Sequence, residues 1–94
     1  MKKTLNFSHD ANFYYVSEAN NNSFKISKET MQIDGKTLYE KFFKDLDTTE
    51  ELQIEITKTD SEEKEFNLVY NRINDIFISI VDQINIVFGH KNQE

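Results

Sequence analysis

Apolar residues in the C-terminal part of the chain recur every three or four positions, which is the spacing of one face of an α-helix. The segment 66–88 contains neither glycine nor proline. At about 100° per residue, one arc of about 140° holds Phe66, Val69, Tyr70, Ile73, Ile76, Phe77, Ile80, Val81, Ile84, Val87 and Phe88. The pattern predicts a long amphipathic helix over 62–88, followed by a disordered tail over 89–94.

The front half of the chain alternates apolar and polar residues instead, which is the pattern of strands with one buried face. Aromatic and β-branched residues at 13–16 and an alternating stretch at 23–27 flank three consecutive asparagines. Because asparagine readily forms turns, these features predict a β-hairpin over 12–28. A further alternating stretch predicts a strand over 51–57.

A second, shorter helix is predicted between these strands. Leu38, Phe42 and Leu46 recur at four-residue spacing. Thr37 stands three residues before a glutamate, and this arrangement is typical of a capping box at a helix N-terminus. The pattern predicts a helix over 38–46.

These elements follow one another in the order ββ(β)αβα. At 94 residues, the chain is long enough for one domain with one modest core. We therefore expect an α+β fold, in which a small antiparallel sheet of four to five strands has the short helix and the long helix packed on one face. The chain contains no cysteine, so packing rather than disulfide bonds must hold the fold together.

The charge of the chain is unevenly distributed. Residues 1–44 contain seven lysines and five acids, whereas residues 45–94 contain twelve acids and four bases, and the total is a net charge of −6. An acidic back half is repelled by phosphate backbones and by anionic lipid. We therefore expect neither direct nucleic-acid binding nor membrane binding.

No residue pattern indicates catalysis, a cofactor or a metal ion. Asp45, Asp47 and Thr49 imitate the start of an EF-hand loop, but Glu50 stands where that loop needs glycine and Ile56 where it needs a bidentate glutamate. The chain has two glycines and no cysteine, so a phosphate-binding loop and a thiolate nucleophile are not expected. We predict a protein that is not an enzyme.

The stretch 45–65 concentrates the acids of the back half. They are Asp45, Asp47, Glu50, Glu51, Glu55, Asp60, Glu62, Glu63 and Glu65. One interpretation is a solvated surface whose acids complement the positive end of the long helix, with a capping box formed by Asp60 and Glu63 or by Thr59 and Glu62. The other is a surface that presents carboxylates to a basic protein.

The predicted long helix exceeds the size of a compact domain. Residues 62–88 would span about 40 Å as a helix, whereas a globule of this length is only about 30 Å across. The helix should therefore overhang the sheet or kink. Three apolar residues fall outside its stripe, Leu68, Ile78 and Ile86, and we predict that they form an interface for a second chain. Phe66, Ile73, Ile80 and Val87 recur every seven residues, a spacing that suits helix pairing in a homodimer, although Gln83 interrupts it.

The leading functional hypothesis is a small protein-binding module that engages a basic partner through its acidic back half. We expect an inhibitor or regulator, for example one encoded by a phage or mobile element. The first residues lack an apolar run of signal-peptide length, so we expect a cytoplasmic protein.

Two alternatives come from other classes of protein. The first is a structural or scaffold protein that self-assembles through the C-terminal helix. The second is a ligand-binding or enzymatic domain, in which Tyr14, Tyr15 and Tyr39 supply hydroxyls around the aromatic hairpin.

Overall fold

Four strands and two helices make up the computed structural model of the chain, which describes residues 1–19, 23–46 and 49–90. In chain order, the elements are β1 (Lys2–His9), β2 (Phe13–Ser17), β3 (Ser23–Ser27), α1 (Gly35–Phe42), β4 (Gln53–Lys58) and α2 (Lys64–Val87).

The strands form one sheet in the order β3-β2-β1-β4. This sheet, the short helix and the long C-terminal helix confirm the predicted α+β class. The predicted antiparallel sheet is wrong in one respect, because β4 pairs with β1 in parallel while β1–β2 and β2–β3 are antiparallel. The reason is the connection from β3 to β4, which contains α1 and is long enough to carry the chain across the sheet so that β4 runs in the direction of β1.

One face of the sheet is apolar and the other is polar. Alternate residues of β1 and β2, among them Leu5, Phe7, Tyr14 and Val16, are buried. Their neighbours along each strand, such as Lys2 and the hydroxyl and amide residues of β1, lie on the opposite face. This alternation is the pattern from which the strands were predicted.

Helix α2 covers the apolar face. The Phe66 ring packs on the ring of Phe7 with 5.0 Å between centroids, and further along the helix the Phe77 ring lies 5.7 Å from those of Phe42 and Phe43. The start of α2 therefore packs on the sheet, and the middle of α2 packs on the end of α1.

Side chains of α2 also cover the outer edge of β4. The buried Asn85 accepts a hydrogen bond from the Leu52 N–H at 2.8 Å and donates one to the Leu52 carbonyl at 2.9 Å. The Tyr70 hydroxyl donates to the Ile56 carbonyl at 2.8 Å. These bonds occupy backbone groups that would otherwise be available for a further strand.

Helix α1 begins and ends earlier than predicted. The prediction was 38–46, and the helix spans Gly35–Phe42. Its N-cap is Asp34, whose carboxylate accepts hydrogen bonds from the Lys36 N–H at 3.0 Å and from the Thr37 hydroxyl at 2.9 Å. Thr37 therefore donates to the cap and does not act as one, and the predicted capping box does not form.

The end of α2 corrects the predicted tail. Gly89 has a φ of +76° and donates to the Ile86 carbonyl at 3.2 Å, while the His90 N–H donates to the Asn85 carbonyl at 2.7 Å. These bonds close the helix C-terminus in the manner of a glycine cap, so 89–90 belong to the helix end. The rest of the predicted tail, 91–94, lies outside the described residues.

Helix α2 is longer than the strands beneath it. Its 24 residues span about 36 Å at 1.5 Å per residue, whereas the eight residues of β1 span about 26 Å. The molecule measures 41 × 30 × 23 Å along its principal axes. The C-terminal end of α2 therefore extends beyond the sheet.

Candidate functional site

The predicted partner-binding acids that the structure describes lie on the surface. Eight of the nine predicted partner-binding acids are exposed, namely Asp45, Glu50, Glu51, Glu55, Asp60, Glu62, Glu63 and Glu65. The ninth, Asp47, lies outside the described residues.

Strand β4 divides these acids into separate groups. Asp45, Glu50 and Glu51 precede the strand, and Glu55 lies within it on the polar face of the sheet. The remaining four, Asp60, Glu62, Glu63 and Glu65, follow the strand and surround the start of α2; we call them the distal acidic group. Because the six residues of β4 span about 20 Å, the acids do not form one continuous patch.

Two of the exposed acids form ion pairs within the chain, and a third lies beside a histidine ring. Glu50 lies 3.4 Å from the N-terminal ammonium group, Glu55 pairs with Lys2, and the Glu63 carboxylate lies 3.5 Å from Nδ1 of His9. Within the described parts of the chain, the side chains of the other five form no ion pair: Asp45, Glu51, Asp60, Glu62 and Glu65.

The distal acidic group does not form the predicted capping box. Glu63 is the N-cap of α2, but its side chain accepts no hydrogen bond from the helix. The Glu63 N–H donates instead to the Ser61 hydroxyl at 3.2 Å, and Glu65 is the acid in the first turn. Asp60 and Glu62 precede the helix, so hydrogen-bonded capping does not explain why they are acidic.

A polar contact that the sequence did not predict holds this end of the molecule together. Nδ1 of His9, at the end of β1, lies 3.0 Å from the Lys28 ammonium group, and the His9 ring packs on Phe66 with 4.5 Å between centroids. Because His9 ends β1 and Glu63 precedes α2, their contact connects the sheet to the distal acidic group. No sequence signal indicated it, because His9 and Glu63 are distant along the chain.

The three residues predicted as a helix interface do not lie together. Leu68 and Ile78 are 59% and 43% exposed, and Ile86 is half-buried. Leu68 and Ile86 share one side of α2 but lie about 27 Å apart along its axis, and Ile78 projects about 80° away from both.

A different apolar surface lies between the two helices. We call it the α1–α2 groove, and its lining residues are Tyr39, Ile80, Gln83, Ile84, Val87 and Phe88. The spacing of Ile80 and Val87 suggested helix pairing, but the sequence did not predict that α1 and Tyr39 would form the other wall of this surface. The available signal was the length of the helix, which exceeds that of the domain.

The tyrosines of the ligand-binding alternative do not share a pocket. Tyr14 is buried against Phe7, whereas its neighbour Tyr15 lies on the opposite face of the sheet. Tyr39 is on α1, at the groove. The hydroxyl of Tyr15 is already engaged, because it donates a hydrogen bond to Asp10.

Asp10 gives the turn between β1 and β2 a pH-dependent contribution to stability. Its carboxylate accepts hydrogen bonds from the Tyr15 hydroxyl and from the N–H groups of Asn12 and Phe13, and these bonds lower the pKa of Asp10 from 3.8 to about 2. A carboxyl group with a lowered pKa in the folded state stabilises the fold above its unfolded pKa, and the contribution is lost as the pH falls through the folded value.

We therefore expect the free energy of unfolding to decrease less for Asp10→Asn than for the wild type as the pH falls from about 4 to about 2. Urea unfolding at three pH values in this interval measures the difference. The control is Asp75→Asn, which removes one exposed carboxylate from α2, and it should follow the wild-type profile. A wild-type profile for Asp10→Asn would contradict the prediction.

Comparison with known protein families, with curated proteins and with solved structures finds no match for the chain. Among the residues described here, no helix is both long enough and apolar enough to cross a membrane. In the same residues, no three histidine, aspartate or glutamate side chains gather into a group that could hold a metal ion.

Proposed function

We propose that this protein is a non-catalytic binding module, and that the distal acidic group engages a basic surface of another protein. The observation that carries the proposal is the exposure of four acids within six residues of sequence. Asp60, Glu62 and Glu65 form no ion pair with another described residue, and none of the four caps α2 through its side chain. Their charge is therefore directed to solvent, where it attracts a basic partner.

The backbone that presents these acids is held in place by side-chain hydrogen bonds. The amide group of Asn67 donates to the carbonyls of Ser61 and Glu63 at 3.3 and 3.1 Å. Its oxygen accepts a hydrogen bond from the Lys58 ammonium group at 2.6 Å. A segment fixed in this way loses little conformational entropy on binding, which favours affinity.

A module of this kind acts as an inhibitor or regulator by covering the basic surface of its partner. The chain contains no cysteine, which suits the reducing cytoplasm. We propose that compartment for the interaction.

Charge reversal tests the proposal with a matched pair of double variants. Glu62→Lys with Glu65→Lys alters the distal acidic group, and Asp45→Lys with Glu51→Lys alters the acids before β4. Both variants change the net charge by +4, and all four carboxylates are exposed and form no ion pair within the described residues. The comparison therefore separates the position of the charge from its amount.

The measurement is a quantitative pull-down from a lysate of the source cells, followed by titration of the purified partner. We expect the distal variant to bind at least tenfold more weakly, since like charges face each other in the complex, and the control variant to remain close to wild type. Wild-type binding should weaken steeply with added salt. Equal capture by the two variants, or capture that salt does not change, would contradict the proposal.

A further inference from the structure

The apolar stripe of α2 becomes exposed toward the C-terminal end of the helix. Phe66, Ile73, Ile80 and Val87 follow one another at seven-residue spacing along one side of the helix. The first two are fully buried, Ile80 is half-buried and Val87 is 66% exposed. The stripe thus continues past the sheet, where Tyr39 on α1 and Phe88 after α2 are 41% and 50% exposed.

We infer that the α1–α2 groove is the interface of a symmetric homodimer, in which the C-terminal end of α2 from one copy lies against the same end of α2 from the other. The inference concerns different residues from the distal acidic group and does not depend on the proposed function.

The spacing of the groove residues fits a helix as the occupant. Ile80, Gln83, Ile84 and Val87 stand at positions i, i+3, i+4 and i+7 of α2, which is the pattern of a helix face that packs on another helix. At this end of the helix Val87 and Phe88 are exposed, whereas Ile80 and Ile84 are half-buried against the core. With a two-fold axis through the groove, the C-terminal end of α2 from each copy therefore occupies the groove of the other copy.

The exposed apolar surface of the groove would supply part of a dimer interface, and polar residues around it would supply the rest. From the exposures of Tyr39, Val87 and Phe88, the apolar area of the groove is on the order of 300–400 Å². A standard interface covers about 800 Å² on each partner, with an apolar centre and a polar rim. The groove thus matches the apolar centre of such an interface.

Electrostatics also favour a second copy that docks at this end. The net charge of −6 opposes self-association in general. However, the six residues that line the groove are uncharged, and the surface that continues from it toward Leu52 contains both Lys44 and Glu50. The distal acidic group lies at the opposite end of α2, so contact through the C-terminal ends keeps these four acids of the two copies apart. Glu50 and Glu51, beside Leu52, are the acids nearest to the groove.

Sedimentation equilibrium of the full chain over a range of concentrations tests the inference. We expect the mass to rise from 11.2 kDa toward twice that value as the concentration increases. Val87→Glu should raise the dissociation constant of the dimer at least tenfold, because it places a charge in an apolar interface. Tyr39→Glu, on the other wall of the groove, should have the same effect.

Leu68→Glu is the matched control, because Leu68 is 59% exposed on the same helix and lies outside the groove. It introduces the same charge and should leave the dissociation constant unchanged. A wild-type chain that stays at the monomer mass up to ~1 mM would overturn the inference. So would a dimer that resists both groove variants, or one that Leu68→Glu weakens as much as they do.

Discussion

Replacing Phe66 by alanine should lower the free energy of unfolding by about 3–5 kcal/mol, which is the usual range for removing a buried phenylalanine side chain. Phe66 is fully buried, and its ring lies 5.0 Å from that of Phe7, 4.5 Å from that of His9 and 6.4 Å from that of Tyr14. It therefore joins the start of α2 to β1 and β2, and its removal leaves a cavity between the helix and the sheet.

Urea unfolding followed by circular dichroism measures this loss. The control is Phe13→Ala, which removes the same atoms from the polar face of the sheet, where the Phe13 ring lies 4.5 Å from the Lys25 ammonium group. We expect the control to cost about 1 kcal/mol or less. Phe66→Leu should cost on the order of 1–2 kcal/mol, and it keeps the comparison measurable if the alanine variant does not fold. Equal losses for Phe66→Ala and Phe13→Ala would contradict the assignment of Phe66 to the core.

Features that depend on nearby residues were predictable from the sequence. The apolar period of α2 and the alternation along the strands repeat over a few residues, so the helix and the buried face of each strand follow from local patterns. The three asparagines at 20–22, between two alternating stretches, predicted the reversal that separates β2 from β3, although they lie outside the described residues.

Features that depend on distant contacts were not predictable. Alternation shows which residues face the core, but it does not give the direction of a strand, so the parallel pairing of β4 with β1 could not be read from the pattern. The start of helix α1 is a local feature that was nevertheless predicted wrongly, because Asp34 is the N-cap and Thr37, three residues later, donates to its carboxylate. Local propensity ranks both residues as good caps and does not decide between them.

The candidate surfaces show the same division. Composition predicted that the back half is acidic. The separation of these acids into groups depends on the position of β4, which only the structure shows. The groove was hidden in the sequence because Ile80 and Val87 have the same period as the buried Phe66 and Ile73. Periodicity shows which side of a helix is apolar. Only the tertiary structure shows at which residue the sheet and α1 stop burying that side.

Asn85 was missed for a related reason. It projects about 40° outside the apolar arc of α2, so the periodicity did not assign it to the core. In the structure it is 3% exposed, because the segment that leads into β4 covers it and forms hydrogen bonds with its side chain.

Replacing Asn85 by leucine should therefore lower the free energy of unfolding by about 2–4 kcal/mol. The substitution keeps a side chain of similar volume but leaves the N–H and the carbonyl of Leu52 without their partner. Leu52 is itself 4% exposed, so water cannot readily replace the two hydrogen bonds, and each unsatisfied group costs about 1–3 kcal/mol.

Asn71→Leu provides the control, because Asn71 is exposed on the same helix and a surface substitution changes stability by about 0.5 kcal/mol or less. Hydrogen exchange locates the effect, since the amide of Leu52 should lose protection in the Asn85 variant and keep it in the control. A loss of stability in Asn85→Leu that leaves this amide protected would show that the hydrogen bonds to Leu52 are not its cause.

Asn85→Asp separates the two hydrogen bonds. A carboxylate can still accept from the Leu52 N–H, but only the protonated acid can donate to the Leu52 carbonyl, and burial next to that carbonyl raises the pKa of the introduced carboxyl group. A carboxyl group with a raised pKa in the folded state destabilises the fold as the pH rises through that pKa. The deficit of Asn85→Asp relative to wild type should therefore be smaller at pH ~4 than at pH ~7. A deficit that does not change with pH would mean that the donor half of the Asn85 amide contributes nothing to the stability of the fold.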